Sequence, residues 1–340
     1  MQPLIFENNV LNILDQTKLP GEAIYLKTTD YTDVCQAIRE LSVRGAPAIG
    51  VAAGYAIALG ARSINAADMP AFLTELESVI TTVTSTRPTA QNLFQAAERM
   101  KKVALLCQTS GEAREKLLQE ARNIHFEQIK TDLEIGRLGA AIVKDKTSIL
   151  THCNTGSLAT AGYGTALGVI KYAYSLGKKI SVIATETRPL LQGARLTAFE
   201  LKTEGIPFVL ITDSMAGYIM SLGKVDMVIT GADRIALNGD TANKIGTYTL
   251  AILAREHGVP FYIAAPTTTF DIKTQSGQDI VIEEREPEEV THFNCHPSAP
   301  QGTKALNPAF DVTPSNLVSG YITEKGVFKA KEIASIFSDL

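Results

Sequence analysis

The sequence predicts an α/β protein in which a mostly helical N-terminal domain with a small antiparallel sheet precedes a Rossmann-like C-terminal domain with a parallel sheet. Three observations predict this class. Apolar residues recur at helical spacing through most of the first 140 residues. Beyond residue 146, short apolar runs alternate with helical segments, as in β-α-β crossovers. The length of 340 residues favours two domains, which we expect at 1–135 and 136–340.

The chain begins with short strands. Two apolar runs, 4–6 and 10–14, are separated by Asn8 and Asn9. Asparagine tolerates left-handed backbone angles, so this pair suits a tight hairpin turn. A third apolar run at 23–26 completes the small antiparallel sheet that we expect there.

Five helices are predicted next. The second is rich in glycine and alanine, which lets another backbone pack closely against it. The fifth exceeds the usual length of a globular helix, and we expect it to connect the two domains. The predicted ranges are 31–41, 48–62, 67–85, 89–107 and 110–143.

The second half of the chain repeats the order strand, loop, helix. Short apolar runs predict strands at 148–152, 180–184, 207–212, 226–230 and 260–264. Helical spacing predicts the intervening helices at 157–176, 193–204, 214–222 and 244–257. A final strand is expected within 317–322, and a short helix within 329–337.

The composition excludes several classes of protein. The net charge of −4 lacks the basic footprint of a nucleic-acid binder. No run reaches the roughly 18 uninterrupted apolar residues of a membrane span, and the first residues lack the pattern of a secretory signal. The four cysteines are widely and irregularly spaced, which suits a reducing compartment. We therefore expect a cytoplasmic protein with no nucleic-acid or membrane partner.

Neither a metal nor a nucleotide is expected. His292, Cys295 and His296 cluster in a polar loop, but their spacing selects no metal geometry. The glycine-rich stretch 162–168 departs from the Gly-x-Gly-x-x-Gly pattern of dinucleotide binding and lies inside a predicted helix. A Walker loop is absent from the sequence. We therefore predict a site without cofactors.

Reactive or polar side chains follow three of the predicted strands. Cys153 follows the first, Gln192 lies in the loop after the second, and Asp233 follows a third, with Lys244 shortly after it. In an open parallel sheet, ligands bind outside the carboxyl ends of the strands. We therefore predict that these four residues converge on one pocket.

Cys153 and Asp233 are candidates for proton transfer. A thiol near a helix N-terminus is favoured as the thiolate, and a carboxylate at the mouth of an apolar strand can have a raised pKa, which suits an acid or base. His152 is expected to point away from Cys153, because neighbouring side chains of a strand face opposite sides. The alternative for Cys153 is that it is a small residue of the buried core. The alternative for Asp233 is that it forms a salt bridge with Arg234 or caps a helix.

Several residues favour a small anionic ligand, most plausibly a phosphate. Arg44 lies between a helix end and a glycine turn, and Arg87 lies in a loop marked by proline. Asn243 and Lys244 lie in a polar, glycine-marked entry to a predicted helix, where backbone N–H groups and a lysine favour anions.

These segments resemble the S-methyl-5-thioribose-1-phosphate isomerases, whose wider superfamily includes the regulatory subunits of translation initiation factor 2B. The resemblance extends over nearly the whole chain. The motifs that carry it are 43–50, 153–156, 186–196, 231–235, 238–247, 307–314 and 322–326.

The resemblance implies a homodimer that isomerises methylthioribose 1-phosphate to methylthioribulose 1-phosphate in methionine salvage, without metal or nucleotide. It implies that Asp233 is the proton donor and Cys153 the second catalytic residue. The substrate-binding positions that it implies are Arg44, Gly45, Ala46, Arg87, Gln192, Asn243 and Lys244.

Three alternatives remain open within the same resemblance. Near relatives isomerise 5-deoxyribose 1-phosphate and differ only at the pocket for the C5 substituent. A ribose 1,5-bisphosphate isomerase would need an additional cationic site near C5. A regulatory protein with this fold would have lost the chemistry, an option that the presence of Cys153 and Asp233 disfavours. The motif at 152–156 reads His-Cys-Asn-Thr-Gly, where many relatives have Asn-Ala-Gly at its end.

Overall fold

The computed structural model describes residues 1–87, 90–293 and 296–337. The chain divides into two compact units. The first comprises 1–133 together with the separate segment 156–164, and the second comprises 134–155 together with 165–340.

The first unit opens with a three-stranded antiparallel sheet, as predicted. Its strands are β1 (Leu4–Glu7), β2 (Val10–Leu14) and β3 (Tyr25–Thr28), in that order. Asn8 and Asn9 turn the hairpin between β1 and β2 with φ of 50° and 65°. The predicted hairpin turn is therefore confirmed.

Five helices follow, and the second lies at the centre of the first unit. The helices are α1 (Tyr31–Arg39), α2 (Ala46–Ser63), α3 (Met69–Thr84), α4 (Gln91–Leu105) and α5 (Ser110–Ala140). Every residue of α2 from Ala46 to Ala61 is buried. Its glycines permit this packing: a Cβ added at Gly60 would lie 2.4 Å from Val79 of α3. Small residues therefore bring neighbouring helices close, as the composition of α2 predicts.

The second unit is built on a seven-stranded sheet. Its strands, in spatial order, are β16 (Gly326–Phe328), β15 (Gly320–Thr323), β10 (Phe261–Ala264), β7 (Met227–Thr230), β4 (Ser148–Thr151), β5 (Ser181–Thr185) and β6 (Phe208–Ile211). All neighbouring pairs are parallel except β15 and β16. The strand order runs outward from β4 in both directions, so the topological switch point lies between β4 and β7.

The sheet is buried on both faces, which explains why its strands read as uninterrupted apolar runs. Ile149 and Ile229 belong to one apolar cluster, with α7 (Ala166–Ser175). Leu150 and Val228 belong to another, with α9 (Ala216–Ser221) and α10 (Thr247–Glu256). Alternate residues of β4 and β7 therefore face opposite layers of helices.

A second, four-stranded sheet in this unit was not predicted. Its strands, in spatial order, are β11 (Phe270–Asp271), β8 (Arg234–Ala236), β9 (Thr241–Lys244) and β14 (Phe310–Thr313). The remaining α-helices and β-strands of the described chain are α6 (Ser157–Thr160), α8 (Ala198–Thr203), α11 (Glu288–Thr291), β12 (His292–Phe293), β13 (His296–Pro297) and α12 (Ile333–Ile336). A π-helix at Gly193–Thr197 precedes α8.

Two predicted helices differ from the structure. The helix expected at 157–176 is interrupted, because Ala161 and Gly164 adopt positive φ and the N–H groups of Tyr163 and Gly164 donate to Asp132. The helix expected at 244–257 begins only at Thr247, because residues 241–244 form β9.

Within the described ranges, no helix is both long enough and apolar enough to cross a bilayer.

Candidate active site

The carboxyl ends of β7, β4 and β5 lie side by side in the second unit. Neighbouring strands of a sheet are separated by about 4.8 Å. Cys153 lies two residues past the end of β4, and Asp233 lies three residues past the end of β7. The two loops approach closely, since a Cβ added at Gly231 would lie 2.8 Å from the side chain of Thr155. The topology therefore places both candidate catalytic residues at the switch point, where open sheets bind ligands.

The backbone of Cys153 is held in an uncommon conformation. Its φ is 61°, which costs about 1–3 kcal/mol for a residue with a side chain. The N–H of Cys153 donates to Thr187 Oγ1 at 2.9 Å, and its carbonyl accepts from Thr197 Oγ1 at 2.5 Å. The thiol is buried. The next helix, α6, has only four residues, so the structure does not support the predicted effect of a helix dipole on Cys153.

His152 does not act as a base for the neighbouring thiol. Its ring is buried, with Nδ1 2.6 Å from Thr185 Oγ1 and Nε2 2.9 Å from the carbonyl oxygen of Ile245. Burial lowers the pKa of His152, which favours the neutral ring. Both ring nitrogens are thus engaged by groups other than Cys153.

The loop after β5 is tightly fixed. Thr187 also has a positive φ, 65°, which is rare for a β-branched residue. The carboxylate of Asp213 accepts the N–H groups of Thr187 and Arg188 at 2.8 and 2.7 Å. A Cβ at Gly193 would lie 1.8 Å from the carbonyl oxygen of Thr185, so this residue must be glycine.

Gln192 presents an unused acceptor. Its side chain is 5% exposed, and Oε1 accepts no hydrogen bond from the described part of the protein. Leaving a buried acceptor unsatisfied costs about 1–3 kcal/mol. A ligand hydroxyl that donates to Oε1 would recover that energy.

Asp233 lies between the parallel sheet and the smaller sheet. Its N–H donates to the carbonyl of Ala242 at 2.9 Å, which fixes the backbone where β7 leads into β8. The neighbouring Arg234 forms an ion pair with Asp271, at 3.2 Å. Asp233 is half-buried.

Asn243 and Lys244 lie on β9 and not at a helix start. Asn243 Nδ2 donates to Thr247 Oγ1 at 2.9 Å. Lys244 Nζ donates to the carbonyl of Ala309 at 2.9 Å and lies 4.4 Å from the centre of the Phe310 ring. Strand pairing therefore places this cation, because Lys244 is directly opposite Phe310 on β14.

The backbone donors at the start of α10 are already engaged by a side chain of the protein. The carboxylate of Asp311 already accepts the N–H groups of Gly246 and Tyr248, at 2.7 and 3.0 Å. Burial raises the pKa of Asp311 to about 6. These two N–H groups are therefore engaged within the protein, and Asn243 and Lys244 remain the predicted binding residues of this segment.

The remaining binding candidates belong to the first unit, at two neighbouring helix starts. Arg44, Gly45 and Ala46 precede or begin α2, and Gly45 has a φ of 91°. A Cβ at Gly45 would lie 2.2 Å from the carbonyl oxygen of Ala159, so this turn packs directly on the segment 156–164.

Arg87 precedes α4 by four residues. The first turns of α2 and α4 are in contact, since a Cβ at Gly50 would lie 3.1 Å from the Cβ of Asn92. Pro88 and Thr89, which follow Arg87, lie outside the described residues.

The structure describes two of the three residues of the possible metal-ligand cluster. His292 and His296 lie on the hairpin of β12 and β13, and Cys295 lies outside the described residues. In the parts of the chain that the structure describes, no three His, Cys, Asp or Glu side chains are arranged to hold a metal ion.

Four residues that shape the site had no signal in the sequence. Thr185, Thr187 and Thr197 hold the loop around Cys153, and Asp213 holds the loop after β5. A threonine after an apolar run looks the same whether it continues a strand or fixes a loop, so residue type alone cannot identify it.

Comparison with known proteins identifies the relatives of this chain. A family model described as "Initiation factor 2 subunit family" matches residues 42–330. A methylthioribose-1-phosphate isomerase from Dehalococcoides mccartyi is 55% identical over 97% of this chain and 98% of its own length. One from Pelotomaculum thermopropionicum is 54% identical over 95% of this chain and 89% of its own length.

Two solved structures have the same fold. A 5-methylthioribose 1-phosphate isomerase from Pyrococcus horikoshii has a TM-score of 0.91 and 41% identity, over 98% of this chain and 96% of its own. A structure titled translation initiation factor eIF-2B, subunit delta, from A. fulgidus has a TM-score of 0.87 and 43% identity, over 98% of this chain and 97% of its own. The predicted fold class and family resemblance are confirmed.

Proposed function

The chain belongs to the initiation factor 2 subunit family, and we propose that it is an aldose–ketose isomerase that converts S-methyl-5-thio-α-D-ribose 1-phosphate to S-methyl-5-thio-D-ribulose 1-phosphate in methionine salvage. The observation that carries this proposal is 55% identity to an enzyme of that name over 97% of the chain. The range matched by the family model, residues 42–330, includes every residue proposed for the site.

The chemistry requires two kinds of hydrogen transfer. Because the anomeric carbon carries phosphate, the sugar cannot open to a free aldehyde. The ring oxygen takes up a proton as its bond to C1 breaks, a hydrogen passes from C2 to C1, and the C2 hydroxyl loses its proton as the carbonyl forms. We propose that Asp233 exchanges the oxygen protons and that Cys153 assists transfer at carbon, as a proton or a hydride.

We propose that both charged and neutral groups of the protein bind the substrate. Arginine binds phosphate through paired N–H donors, and lysine as a point charge. Arg44, Arg87 and Lys244 are the cations, and Gln192 offers a buried acceptor for a sugar hydroxyl. The remaining proposed positions, which rest on the family resemblance, are Gly45, Ala46 and Asn243.

Turnover on three sugar phosphates tests the proposal. We expect kcat/KM to be highest for methylthioribose 1-phosphate, compared with 5-deoxyribose 1-phosphate and ribose 1,5-bisphosphate, with the ketose product followed directly. A preference for the deoxy sugar would keep the mechanism and reassign the substrate. A preference for the bisphosphate would require a further cationic group near C5.

Asp233→Asn tests the proposed acid. A general acid contributes about 10²–10⁴-fold to rate, so the variant is expected to lose at least 99% of kcat. Asp226→Asn is the matched control, because Asp226 lies at the opposite end of β7 and accepts the N–H of Ser148 at 2.7 Å. Retention of more than a few per cent of activity in Asp233→Asn would exclude this role.

A regulatory function is the second candidate, because a structure titled as a translation initiation factor subunit is 43% identical to this chain. The retention of both Cys153 and Asp233 supports the enzyme instead. Binding of the three sugar phosphates without turnover of any of them would favour the regulator.

We further propose a cytoplasmic homodimer with domains at 1–135 and 136–340. Buried free thiols at Cys35, Cys107 and Cys153 suit a reducing compartment. The change from the first compact unit to the second at residues 133 and 134, within α5, supports the proposed boundary, and the first unit also includes 156–164. The edge strand β6 supports the dimer, since Val209 and Leu210 are exposed on it.

A further inference from the structure

His152 lies at the centre of a set of hydrogen bonds whose direction at the ring is fixed by a backbone carbonyl. Its Nε2 atom lies 2.9 Å from the carbonyl oxygen of Ile245. A carbonyl only accepts hydrogen bonds, so Nε2 must carry the proton. In the neutral ring, Nδ1 is then an acceptor, and it receives the hydroxyl proton of Thr185 at 2.6 Å.

This direction continues to Cys153. Because Thr185 donates to His152, its Oγ1 can only accept from the hydroxyl of Thr187, which lies 3.3 Å from that Oγ1 and 3.4 Å from the carbonyl oxygen of Thr185. Thr187 Oγ1 in turn accepts the N–H of Cys153 at 2.9 Å. Thr187 and Thr185 thus connect the backbone N–H of Cys153 to the ring of His152.

The other side of the ring supports a different part of the site. Ile245 lies between Lys244 and Gly246, in the turn that joins β9 to α10. A Cβ at Gly246 would lie 3.1 Å from Cε1 of His152, so the ring packs directly on this turn. A single side chain therefore touches the loop that carries Cys153 and the turn that carries Lys244.

We propose that His152, neutral and with its proton on Nε2, is the positioning residue that holds Cys153 and the Lys244 turn in place for isomerisation. Nδ1 anchors Cys153 through Thr185 and Thr187, and Nε2 anchors the Lys244 turn through Ile245. This role rests on the proposed function. The two nitrogens predict separable effects, because each supports a different group.

Substitutions of His152 separate the two sides. His152→Leu removes both hydrogen bonds, and we expect kcat to fall by about 10²-fold, as displacement of a catalytic group by about 1 Å does. His152→Asn keeps an acceptor near the position of Nδ1, so kcat should recover at least tenfold relative to His152→Leu, while KM rises severalfold. His152→Gln keeps a donor near Nε2, so KM should recover and kcat should not.

A second variant tests whether the effect passes through the hydroxyl chain. Thr185→Val removes one hydroxyl and should lower kcat like His152→Leu, and the double variant should be no worse than either single one. Thr151→Val is the matched control, since Thr151 is equally buried and donates to the carbonyl of Ile229 at 2.9 Å, outside this chain. We expect Thr151→Val to keep wild-type kcat and KM.

The position of the Cys153 loop can also be measured without turnover. Mass spectrometry gives the rate at which iodoacetamide alkylates Cys153, with the buried Cys35 as an internal reference. Local opening exposes buried groups, so we expect about a tenfold faster rate in His152→Leu and Thr185→Val, and no change in Thr151→Val or His152→Asn. Nitrogen-15 NMR of wild-type protein should identify the Nε2–H tautomer of His152.

The outcomes distinguish this inference from the proposed function. Absence of turnover in wild type, with the expected alkylation rates and tautomer, would reject the isomerase and keep the anchoring role. Normal turnover in folded His152→Leu would overturn the inference. An equal loss in Thr151→Val, additive effects of His152→Leu and Thr185→Val, or an Nδ1–H tautomer would also overturn it.

Discussion

At the residue scale, the site depends on positions where a side chain cannot be tolerated. A Cβ at Gly193 would lie 1.8 Å from the carbonyl oxygen of Thr185 and 2.8 Å from Thr187 Oγ1. We expect Gly193→Ala to destabilise the protein by about 3 kcal/mol, since overpacking a fixed backbone has few ways to relax. Urea unfolding measures this change.

Gly111→Ala is the control. A Cβ at Gly111 would have no heavy atom within 4 Å, and Gly111 is in the first turn of α5, so this substitution should stabilise the protein by up to about 1 kcal/mol. Equal effects of the two substitutions would contradict the interpretation.

The local sequence around each residue decides which candidate site residues could be predicted. Cys153 and Asp233 follow strands that are buried on both faces, so an uninterrupted apolar run marks each of them. Thr185 and Thr187 act through loop geometry: Thr187 has a positive φ and accepts the N–H of Cys153. No local pattern predicts that angle at a β-branched residue. The positions of the two candidate catalytic residues at strand ends were therefore predictable, and the threonines that fix the loop around Cys153 were not.

At the element scale, the segment 156–164 shows how one buried carboxylate reshapes a predicted helix. Asp132, on α5, accepts the N–H groups of Tyr163 and Gly164 at 2.9 and 3.0 Å. Gln16 and His125 bind two carbonyls of the same segment, those of Leu158 and Ala161. The apolar spacing of 157–176 predicts one helix, but contacts distant in sequence decide otherwise. The strand β9 was missed for a related reason, since its buried Asn243 has no apolar signature.

Asp132 also gives this element a pH dependence. Burial raises its pKa to about 6, compared with about 3.9 in an unfolded chain. The folded state binds this proton more tightly, so its contribution to stability is greatest below about pH 4 and declines until about pH 6. The difference in unfolding free energy between wild type and Asp132→Asn should therefore fall by about 2–3 kcal/mol across that range. Urea unfolding at several pH values measures it.

Asp145→Asn is the control for this pH dependence. Asp145 is exposed and accepts the N–H of Lys179 at 2.7 Å, a hydrogen bond that lowers its pKa. A lowered pKa contributes stability above the unfolded value and loses it as the pH falls. Its variant should therefore show no decline between pH 4 and 6. A flat difference for Asp132→Asn as well would mean that Asp132 is not protonated in the folded protein in this range.

At the scale of the whole molecule, the fold separates what the family shares from what distinguishes its members. Solved structures titled as an isomerase and as an initiation factor subunit both match this chain with TM-scores of 0.87 or more. The fold was predictable because buried parallel strands and long helices leave strong periodic patterns. The fold alone therefore does not separate an isomerase from an initiation factor subunit.

The edges of the large sheet provide a prediction about assembly. On β6, Val209 is 62% exposed, and Tyr218 of the following helix is 65% exposed. An edge strand with exposed apolar side chains favours pairing with another chain. A twofold interface brings the same surface of both copies together, so one substitution acts twice. We therefore expect wild-type protein to be a dimer in analytical ultracentrifugation at micromolar concentration, and Val209→Glu to be a monomer.

Val327→Glu is the matched control, because Val327 is exposed on β16, the opposite edge of the same sheet, and this variant should stay dimeric. A monomer formed by Val327→Glu, with a dimer retained by Val209→Glu, would move the interface to the other edge. A monomeric wild type would exclude the homodimer.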